Sequence, residues 1–433
     1  MNHRWRTVVA SCLMVFALVA TLSLSCGKGG EGAKKTIIIG NLTDLTGPAS
    51  TALVPLNTGL ADMVREFNAG LNPGPKLPEG VQLKIESYDN GMNPSRFLPG
   101  YDWLKSKGAQ VIFSILSDCS DVLKDPAARD KVAVCGFASD FYQISPPGWV
   151  FDFDSPAQWS TNLMLQWVSE NWNYTAEGAP TIATVGWNDA WGAACADGVK
   201  AYVQAYPTKF TLTGTYLEPV MTTSWSGVVS KTLHVDYVML AADGGIAPST
   251  FWKQYKDAGG TGINIDSESQ SAYAGYITDY CGWADLDGKL NCQGWGLWTL
   301  AGTGTVGTGN YPVVQSDIKY TLDVLKKYHP NDVQAQTKAG MGYMGGTSMQ
   351  LCALQIVVAA INAVGADNFN GQAFYDTAIN YSTTWAGDPR GFTATDRVFV
   401  KRQVVDKWDA ATQSLIMVSP GWVDVPQIPP APG

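Results

Sequence analysis

The sequence predicts an α/β fold in which two similar lobes each contain a mainly parallel sheet flanked by helices. Two observations lead to this prediction. From Lys35 onward, short apolar runs typical of strands alternate with segments of helical periodicity, which is the pattern of βαβ units. A second series of such units begins at Thr181 and repeats the arrangement of the first.

The first series begins with a short buried strand at residues 36–40. After the turn at Gly47-Pro48, apolar residues recur at i, i+4, i+7, i+8 and i+11, which predicts an amphipathic helix that ends before Gly70. These apolar positions are Leu56, Leu60, Met63, Val64 and Phe67. Three more predicted strands complete the first lobe: an alternating one at 81–85 and continuous apolar ones at 111–116 and 132–135.

The second series predicts a strand at 181–186, a helix at 192–206 and strands at 210–216 and 235–240. Later helices are marked by Ile318, Leu322 and Leu325 and by the apolar run 349–364. Because no segment between the two series has the length or composition of a free linker, we expect short crossings, the first at 152–156. A ligand cleft is then expected where the carboxyl ends of the strands face one another.

The composition excludes nucleic-acid binding and most enzyme chemistry. The chain has 29 Lys and Arg against 38 Asp and Glu, and no basic cluster could neutralise a phosphate backbone. Only three histidines occur, and HExxH, paired CxxC and Gly-x-Ser-x-Gly motifs are absent. We therefore expect no metal, no cofactor and no catalytic residues. The scattered carboxylates leave a glycosidase-like acid and base open, but nothing supports one.

Two short motifs have simpler explanations than ligand binding. Residues 302–307 satisfy GxGxxG, but residues 308–312 cannot begin the helix that would hold a pyrophosphate. Residues 285–288 resemble the start of a calcium loop but lack its later oxygen ligands. We interpret the second motif as a tight turn and exclude dinucleotide binding for the first.

The N-terminus predicts export and a lipid anchor. Residues 1–25 have the positive start and the apolar run, at 8–22, of a signal peptide. The end of this region, residues 22–26 (LSLSC), resembles the lipobox of bacterial lipoproteins, in which the cysteine is acylated, so Cys26 is the expected anchor. A plain secretory peptide is the alternative. Residues 26–35 are glycine-rich and would form a flexible tether.

Six cysteines follow Cys26, and an even number outside the cytoplasm favours disulfides. The simplest pairs are Cys119 with Cys135 and Cys281 with Cys292, which leaves Cys195 with Cys352. Buried thiols are the alternative. Three tryptophans in polar, glycine-rich surroundings, Trp187, Trp191 and Trp225, are candidates for stacking on a ligand, with ordinary packing as the alternative.

Several segments together resemble the branched-chain amino acid (Leu/Ile/Val) binding proteins, which are the type I periplasmic solute receptors of ABC importers. The segments are 38–48 (IIGNLTDLTGP), 67–70 (FNAG), 83–90 (LKIESYDN) followed by Pro94, 111–120, 134–140, 188–192 (NDAWG), 235–240 and 294–297. No single motif is specific, but their order and spacing are, and they cover most of the chain after residue 35.

The resemblance implies a type I periplasmic binding protein fold, with a ligand cleft between two lobes and crossings near residues 155, 290 and 385. The implied N-terminal lobe is 36–154 with 291–384, and the C-terminal lobe is 155–290 with 385–433. Solute contacts would come from the loops after the first, third and fourth strands, from an aromatic residue over the ligand, and from an acid near the substrate ammonium. These residues are Asp44, Ser117, Asp118, Ser120, Ala138, Ser139, Trp191, and Asp266 or Glu268.

One residue departs from the family pattern. Asp118 stands where amino-acid binders commonly offer a serine to the ligand carboxylate, although a shift of one residue would restore Ser117. Two like charges about 4 Å apart, at an effective dielectric constant near 20, cost about 4 kcal/mol. Asp118 is therefore expected either to point away from the solute or to meet a neutral or cationic group. An aspartate that caps its local turn is the alternative.

By this resemblance, the sequence predicts an extracytoplasmic solute-binding lipoprotein of an ABC importer rather than an enzyme. It would capture a small amino acid or a related polar or amide compound by hinge closure. The expected partners are the solute, the ABC permease subunits and, through Cys26, a membrane, and the protein is expected to be a monomer. The other hypotheses are a ligand-sensing receptor subunit for a membrane signalling partner and a hydrolase on the same fold.

Overall fold

Two sheets form the framework of the two lobes. The computed structural model describes residues 34–137, 140–241, 246–267, 281–295, 316–333 and 341–429. In the first lobe, five parallel strands are ordered β2-β1-β3-β4-β5. They are β1 (Lys35–Thr43), β2 (Val81–Asp89), β3 (Val111–Ser114), β4 (Ala133–Gly136) and β5 (Val150–Asp152). The first four confirm the predicted strands, and β5 is additional.

The second lobe has an eight-stranded mixed sheet in the order β14-β13-β10-β9-β8-β6-β7, with β15 paired to β13. The strands β6 to β10 are parallel, and β13 runs antiparallel to β10. Its strands are β6 (Thr181–Trp187), β7 (Thr211–Glu218), β8 (Tyr237–Ala241), β9 (Ile263–Asp266), β10 (Leu290–Gln293), β13 (Arg402–Asp409), β14 (Ser414–Met417) and β15 (Val423–Asp424). A separate hairpin is formed by β11 (Ser382–Trp385) and β12 (Asp388–Gly391).

Helices follow most of the strands, as the alternating pattern predicts. They are α1 (Ser50–Asn68), α2 (Phe97–Ser106), α3 (Ser117–Asp130), α4 (Phe141–Ile144), α5 (Ala157–Asn171), α6 (Tyr174–Glu177), α7 (Ala190–Ala205), α8 (Ser226–Thr232), α9 (Ile246–Asp257), α10 (Ser316–Tyr328), α11 (Gly346–Val364) and α12 (Gly371–Ala378). The predicted stripe of α1 is buried throughout, and the helix ends before Gly70, whose φ of 67° suits glycine.

Helices α10 and α11 return the chain to the first lobe, where both pack against α1. Glu66 of α1 is buried and accepts hydrogen bonds from Lys327 and Tyr328, each at 2.6 Å. Asp62, one turn earlier, lies 2.6 Å from His329 Nε2. The helical segment 342–364 is long and apolar enough to cross a membrane, but 78% of its apolar 18-residue window is buried in the fold, which is typical of a core helix.

Aromatic side chains meet near the segments where the sequence predicts the crossings between the lobes. Phe153, just after β5, lies 5.1 Å from Phe399 between ring centroids. Trp295, just after β10, donates from Nε1 to the Phe153 carbonyl at 3.0 Å and stacks at 6° on Phe399. We call Phe153, Trp295 and Phe399 the crossing cluster. It brings together three chain segments that are far apart in sequence.

The predicted lobe bounds remain predictions, but the strands locate the segments on which they depend. Asp152 ends a strand of the first sheet, and α5 begins at Ala157 and packs on α7 of the second lobe. Strand β10, at 290–293, still belongs to the second sheet, so a crossing there would follow this strand. Val398 makes a bridge with Asp152, and the second sheet resumes at Arg402.

The predicted disulfides are wrong, because all six cysteines are buried thiols. The predicted pairs are Cys119 with Cys135, Cys281 with Cys292, and Cys195 with Cys352. In each of the last two pairs, the two residues lie in different core clusters. Cys119 instead accepts a hydrogen bond from Asn90 Nδ2 at 3.5 Å. Buried thiols of this kind act as small apolar side chains that fill the core.

Gly186 tests the close pairing of β6 with β8. A Cβ added there would lie 1.7 Å from the Ala241 carbonyl oxygen, its partner in the ladder. We expect Gly186→Ala to lower the free energy of unfolding by about 3 kcal/mol in urea titrations, the upper end of overpacking costs. The control is Gly227→Ala on α8, where a Cβ meets open space and should be neutral or slightly stabilising. Equal effects would contradict this close packing.

Candidate functional site

The facing edges of the two sheets form the candidate site, because the strands of both lobes end there. Two hydrogen bonds between described residues join the edges. Asp118 Oδ1, in the first turn of α3, accepts from the Ala190 amide at the start of α7 at 3.0 Å. The amide of Phe141, at the start of α4, donates to Gln158 Oε1 in the first turn of α5 at 3.0 Å. These bonds bring helix N-termini of opposite lobes together at the edge where the sequence predicts a cleft.

Asp44 shapes the first loop of this edge. It is fully buried, and Oδ1 accepts from the amides of Thr46 and Gly47 at 3.1 and 2.5 Å. Its other oxygen accepts from the Ala49 amide at 2.9 Å. Since both oxygens bind backbone amides, Asp44 fixes the loop whose backbone the sequence predicts to contact the solute.

Three predicted contacts lie at the start of α3. Ser117 and Ser120 are buried, and the Ser117 carbonyl accepts from Gln143 Nε2 at 2.8 Å. The Ser120 hydroxyl has no hydrogen-bond partner among the residues that the structure describes. The carboxylate of Asp118 faces the N-terminus of α7, where a helix favours negative charge. Burial raises the pKa of Asp118, although the bond from Ala190 opposes the shift.

The loop after β4 is described in part. Ala138 and Ser139 lie outside the described residues, as does Glu268 after β9. Asp140 caps α4, since its Oδ1 accepts from the Gln143 amide at 2.9 Å. Burial raises the pKa of Asp140 to about 6.

Trp191 lies in the first turn of α7 and is 1% exposed. It packs with Ala157, Ala194, Cys195 and Ala241, which brings the starts of α5 and α7 together. Its Nε1 has no acceptor within the described part of the chain. The other two candidate tryptophans are core residues with bonded indoles: Trp187 donates to the Thr222 carbonyl and Trp225 to the Thr250 hydroxyl, each at 3.0 Å.

Asp266 ends β9 and is paired within the protein. Its Oδ2 accepts from the Lys289 ammonium, and both side chains are at most 1% exposed. The same ammonium lies 4.7 Å from the ring centroid of Trp408. Burial raises the pKa of Asp266 to about 6, although the lysine opposes the shift. The charge that the resemblance assigns to a substrate ammonium is thus balanced by a lysine of the same lobe.

Two residues at this edge are missing from the sequence prediction, Gln158 and Trp159. Gln158 is fully buried, and its Nε2 has no partner in the described ranges. Trp159 is 8% exposed, its ring lies 6.0 Å from that of Phe141, and its Nε1 also lacks a described partner. The predicted crossing at 152–156 is a signal that could have found them, because the helix after a crossing begins at the cleft.

The site therefore offers N–H donors rather than a reactive group. Gln158 Nε2, Trp159 Nε1 and Trp191 Nε1 can donate to oxygen atoms, and the start of α5 has no side-chain cap. We call these three side chains the donor group. Within the described residues, no group of three His, Cys, Asp or Glu side chains could hold a metal ion. Donors among buried aromatic rings suit a small solute with an oxygen acceptor.

Comparison with known proteins gives one family and several similar structures. The model of a family described as periplasmic binding protein matches residues 36–412. No curated protein sequence matches the chain. A branched chain amino acid ABC transporter from Thermus thermophilus with bound valine has a TM-score of 0.75 and 12% identity, covering 90% of this chain and 97% of that one.

Two solute binding proteins of ABC transporters from Rhodopseudomonas palustris are also similar. One, in complex with benzoate, has a TM-score of 0.68 and 14% identity, covering 90% of this chain and 97% of that one. The other, from strain BisB5 in complex with 3,4-dihydroxy benzoic acid, has a TM-score of 0.71 and 13% identity, covering 92% and 99%. At these identities, the similarity shows a shared fold.

The buried pair of Asp266 and Lys289 should be stable only as a pair. We expect Lys289→Met to lower the free energy of unfolding by about 3–5 kcal/mol, because it leaves a buried carboxylate without its counter-charge. The double variant Lys289→Met/Asp266→Asn should recover most of this loss in urea titrations. Lys84→Met is the control, since Lys84 is exposed and its partner Glu86 is partly exposed, so the loss should stay below about 1 kcal/mol. A loss as small for Lys289→Met would contradict the pairing.

Asp140 should make stability fall as pH rises. Its raised pKa means that the folded state binds the proton more tightly than the unfolded state, whose pKa is about 3.9. The contribution is present below about pH 4 and is lost as pH rises through about 6. Between these values, wild type should lose about 2 kcal/mol relative to Asp140→Asn, after a discount for partial exposure.

Asp89 supplies the opposite control in the same pH series. Burial acts to raise the pKa of Asp89, but hydrogen bonds from the Leu45 amide and the Thr46 hydroxyl bring it below its usual value. Wild type should therefore lose stability relative to Asp89→Asn as pH falls. If both variants gave the same slope, the assignment of the Asp140 shift to burial would be wrong.

Proposed function

The chain belongs to the periplasmic binding protein family, and we propose that it captures a small amino acid or a related polar or amide compound for an ABC importer. Proteins of this family are extracytoplasmic and bind solutes for ABC permeases. The observation that carries the proposal is the donor group: three buried N–H donors without described partners, carried by the first turns of α5 and α7, the two helices whose starts are bonded to the first lobe. Such a site binds a solute without making or breaking a covalent bond.

The donor group supports a solute that carries a carboxylate or a carboxamide. Each of its three atoms is a nitrogen that donates and does not accept. Valine, benzoate and 3,4-dihydroxy benzoic acid, which the similar structures bind, share a carboxyl group. The ring of Trp191 would cover the apolar part of the solute, and the hydroxyls of Ser117 and Ser120 would complete its polar contacts. Ala138, Ser139 and Glu268 stay in the proposal as contacts from the sequence.

Capture would proceed by closure of the two lobes about the crossing cluster. Phe153, Trp295 and Phe399 hold three segments together at one place, so the lobes can rotate about it without losing their own cores. The permease would then bind the closed protein. Acylation at Cys26 would keep a monomeric receptor at the membrane surface, with residues 26–35 as the tether.

A panel of solutes tests the proposal. We expect at least one of valine, benzoate and isobutyramide to raise the melting temperature, by an amount equivalent to about 2.7 kcal/mol at a hundredfold excess over Kd. Small-angle X-ray scattering should show a smaller radius of gyration with that solute. Trp191→Phe keeps an aromatic ring of smaller size and removes the donor, so it should weaken binding about tenfold.

Trp103→Phe is the matched control, because this tryptophan is exposed on α2 and should leave the affinity unchanged. A panel that neither stabilises nor compacts the wild-type protein would exclude solute capture of this kind. If Trp103→Phe weakened binding as much as Trp191→Phe did, the assignment of the site to the region of Trp191 would be wrong.

A further inference from the structure

Among the residues that the structure describes, two hydrogen bonds across the facing edges of the lobes have the same form. In each, a side chain from the first turn of a helix accepts from the first backbone amide of a helix in the opposite lobe. Asp118 of the first lobe binds the Ala190 amide of α7, and Gln158 of the second lobe binds the Phe141 amide of α4. We call these two bonds the interlobe latch. They connect the lobes in both directions.

Helix geometry explains why these amides need an acceptor from elsewhere. The first amides of a helix have no partner within the helix. On α7, Asp189 is the cap and accepts from the Gly192 amide at 2.7 Å, which leaves the Ala190 amide for Asp118. On α4, Asp140 accepts from the Gln143 amide, which leaves the Phe141 amide for Gln158. Each helix start is therefore capped partly by its own lobe and partly by the other.

The latch depends on the arrangement of the lobes, because each bond crosses the gap between them. Gln158 is fixed in the second lobe: a Cβ on Gly198 of α7 would lie 2.7 Å from the Gln158 carbonyl, so α5 and α7 are in close contact. If the lobes separated, both amides and the Asp118 carboxylate would have to bind water instead. The latch thus contributes free energy only to arrangements in which these helix starts are in contact.

We propose that Asp118 is a positioning residue that holds the lobes closed, and that it bonds to the protein rather than to the solute. This proposal rests on the proposed function, since closure matters only if a solute is trapped. It also accounts for the carboxylate at a position where a solute carboxylate is expected nearby. The amide and the positive end of α7 face the Asp118 charge, so the solute does not have to balance it.

A closure residue and a solute contact have different signatures in binding data. The apparent Kd is the intrinsic value divided by the fraction of protein in the competent arrangement. Loss of the latch should lower that fraction and weaken every solute by the same factor, about tenfold for one charge-assisted bond. Loss of a direct contact would instead affect carboxylates and amides by different factors.

The bond can be broken from either side. Asp118→Ala removes the acceptor, and Asp118→Asn keeps an oxygen acceptor without the charge. Ala190→Pro removes the donor, and proline is well tolerated at the first position of a helix. Asp189 before it has φ −114° and ψ 178°, which is the backbone conformation that proline requires of the preceding residue.

The experiment measures closure with and without a solute. Hydrogen–deuterium exchange across residues 187–195 and small-angle scattering report on the latch in the protein alone, and titrations with valine, benzoate and isobutyramide report on affinity. We expect Asp118→Ala and Ala190→Pro to speed exchange, enlarge the protein and weaken each bound solute about tenfold. The double variant Asp118→Ala/Ala190→Pro should bind solute no more weakly, and exchange no faster, than either single variant, because both substitutions remove the same bond. Asp118→Asn should lie between wild type and Asp118→Ala.

The outcomes separate this proposal from the proposed function. If exchange and scattering respond but no solute of the panel binds, the latch stands and solute capture fails. If a solute binds and compacts the protein while the variants change nothing, solute capture stands and the latch is overturned. A loss of affinity for benzoate and valine but not for isobutyramide would assign Asp118 to the solute. Additive losses in the double variant would show that the two residues do not bond to each other.

Discussion

The unpaired amides at the starts of helices determine the character of the cleft. In a parallel sheet, every helix that follows a strand begins at the same edge, so both lobes direct uncapped amides toward each other. Asp44, Asp140 and Asp189 each bind amides of their own lobe, and Asp118 binds one across the gap. These four acids therefore cap backbone amides, and this requirement limits which groups are left for a solute.

This arrangement shows why residue type alone is a poor guide to the site. Asp44, Asp118 and Asp266 are predicted as solute contacts from their places in the chain, and each carboxylate has a partner within the protein. The sequence contains the position of a side chain but not its direction. Gln158 and Trp159 carry no motif at all, yet they follow a crossing that the sequence does locate. The predicted crossing would have indicated these two residues, whereas motifs and residue types did not.

The fold is more predictable than the site, because burial leaves a pattern in the sequence. Strands β1 to β4 and β6 to β8 have apolar runs that periodicity detects. Strands β9 and β10 bury Asn264, Asp266, Asn291 and Gln293 instead, so their sequences resemble loops. Strand β5 has three residues, which is too short for a periodic pattern. Strands β13 to β15 are antiparallel, and an alternation of strands and helices does not predict antiparallel pairing. The disulfide prediction failed for the same reason as the prediction of solute contacts: nearness in sequence does not fix the direction of a side chain.

The buried polar strands of the second lobe limit where specificity for a solute can arise. Asp266 and Lys289 neutralise each other between β9 and β10, and Trp408 covers the ammonium. An ammonium group on a solute would meet a neutral pair there and would gain little beyond one hydrogen bond. A carboxyl or amide oxygen would instead meet buried N–H groups that have no partner among the described residues. Burial of those donors costs free energy that only an acceptor can offset. The donor group, rather than the acids, should therefore determine which solutes bind with the higher affinity.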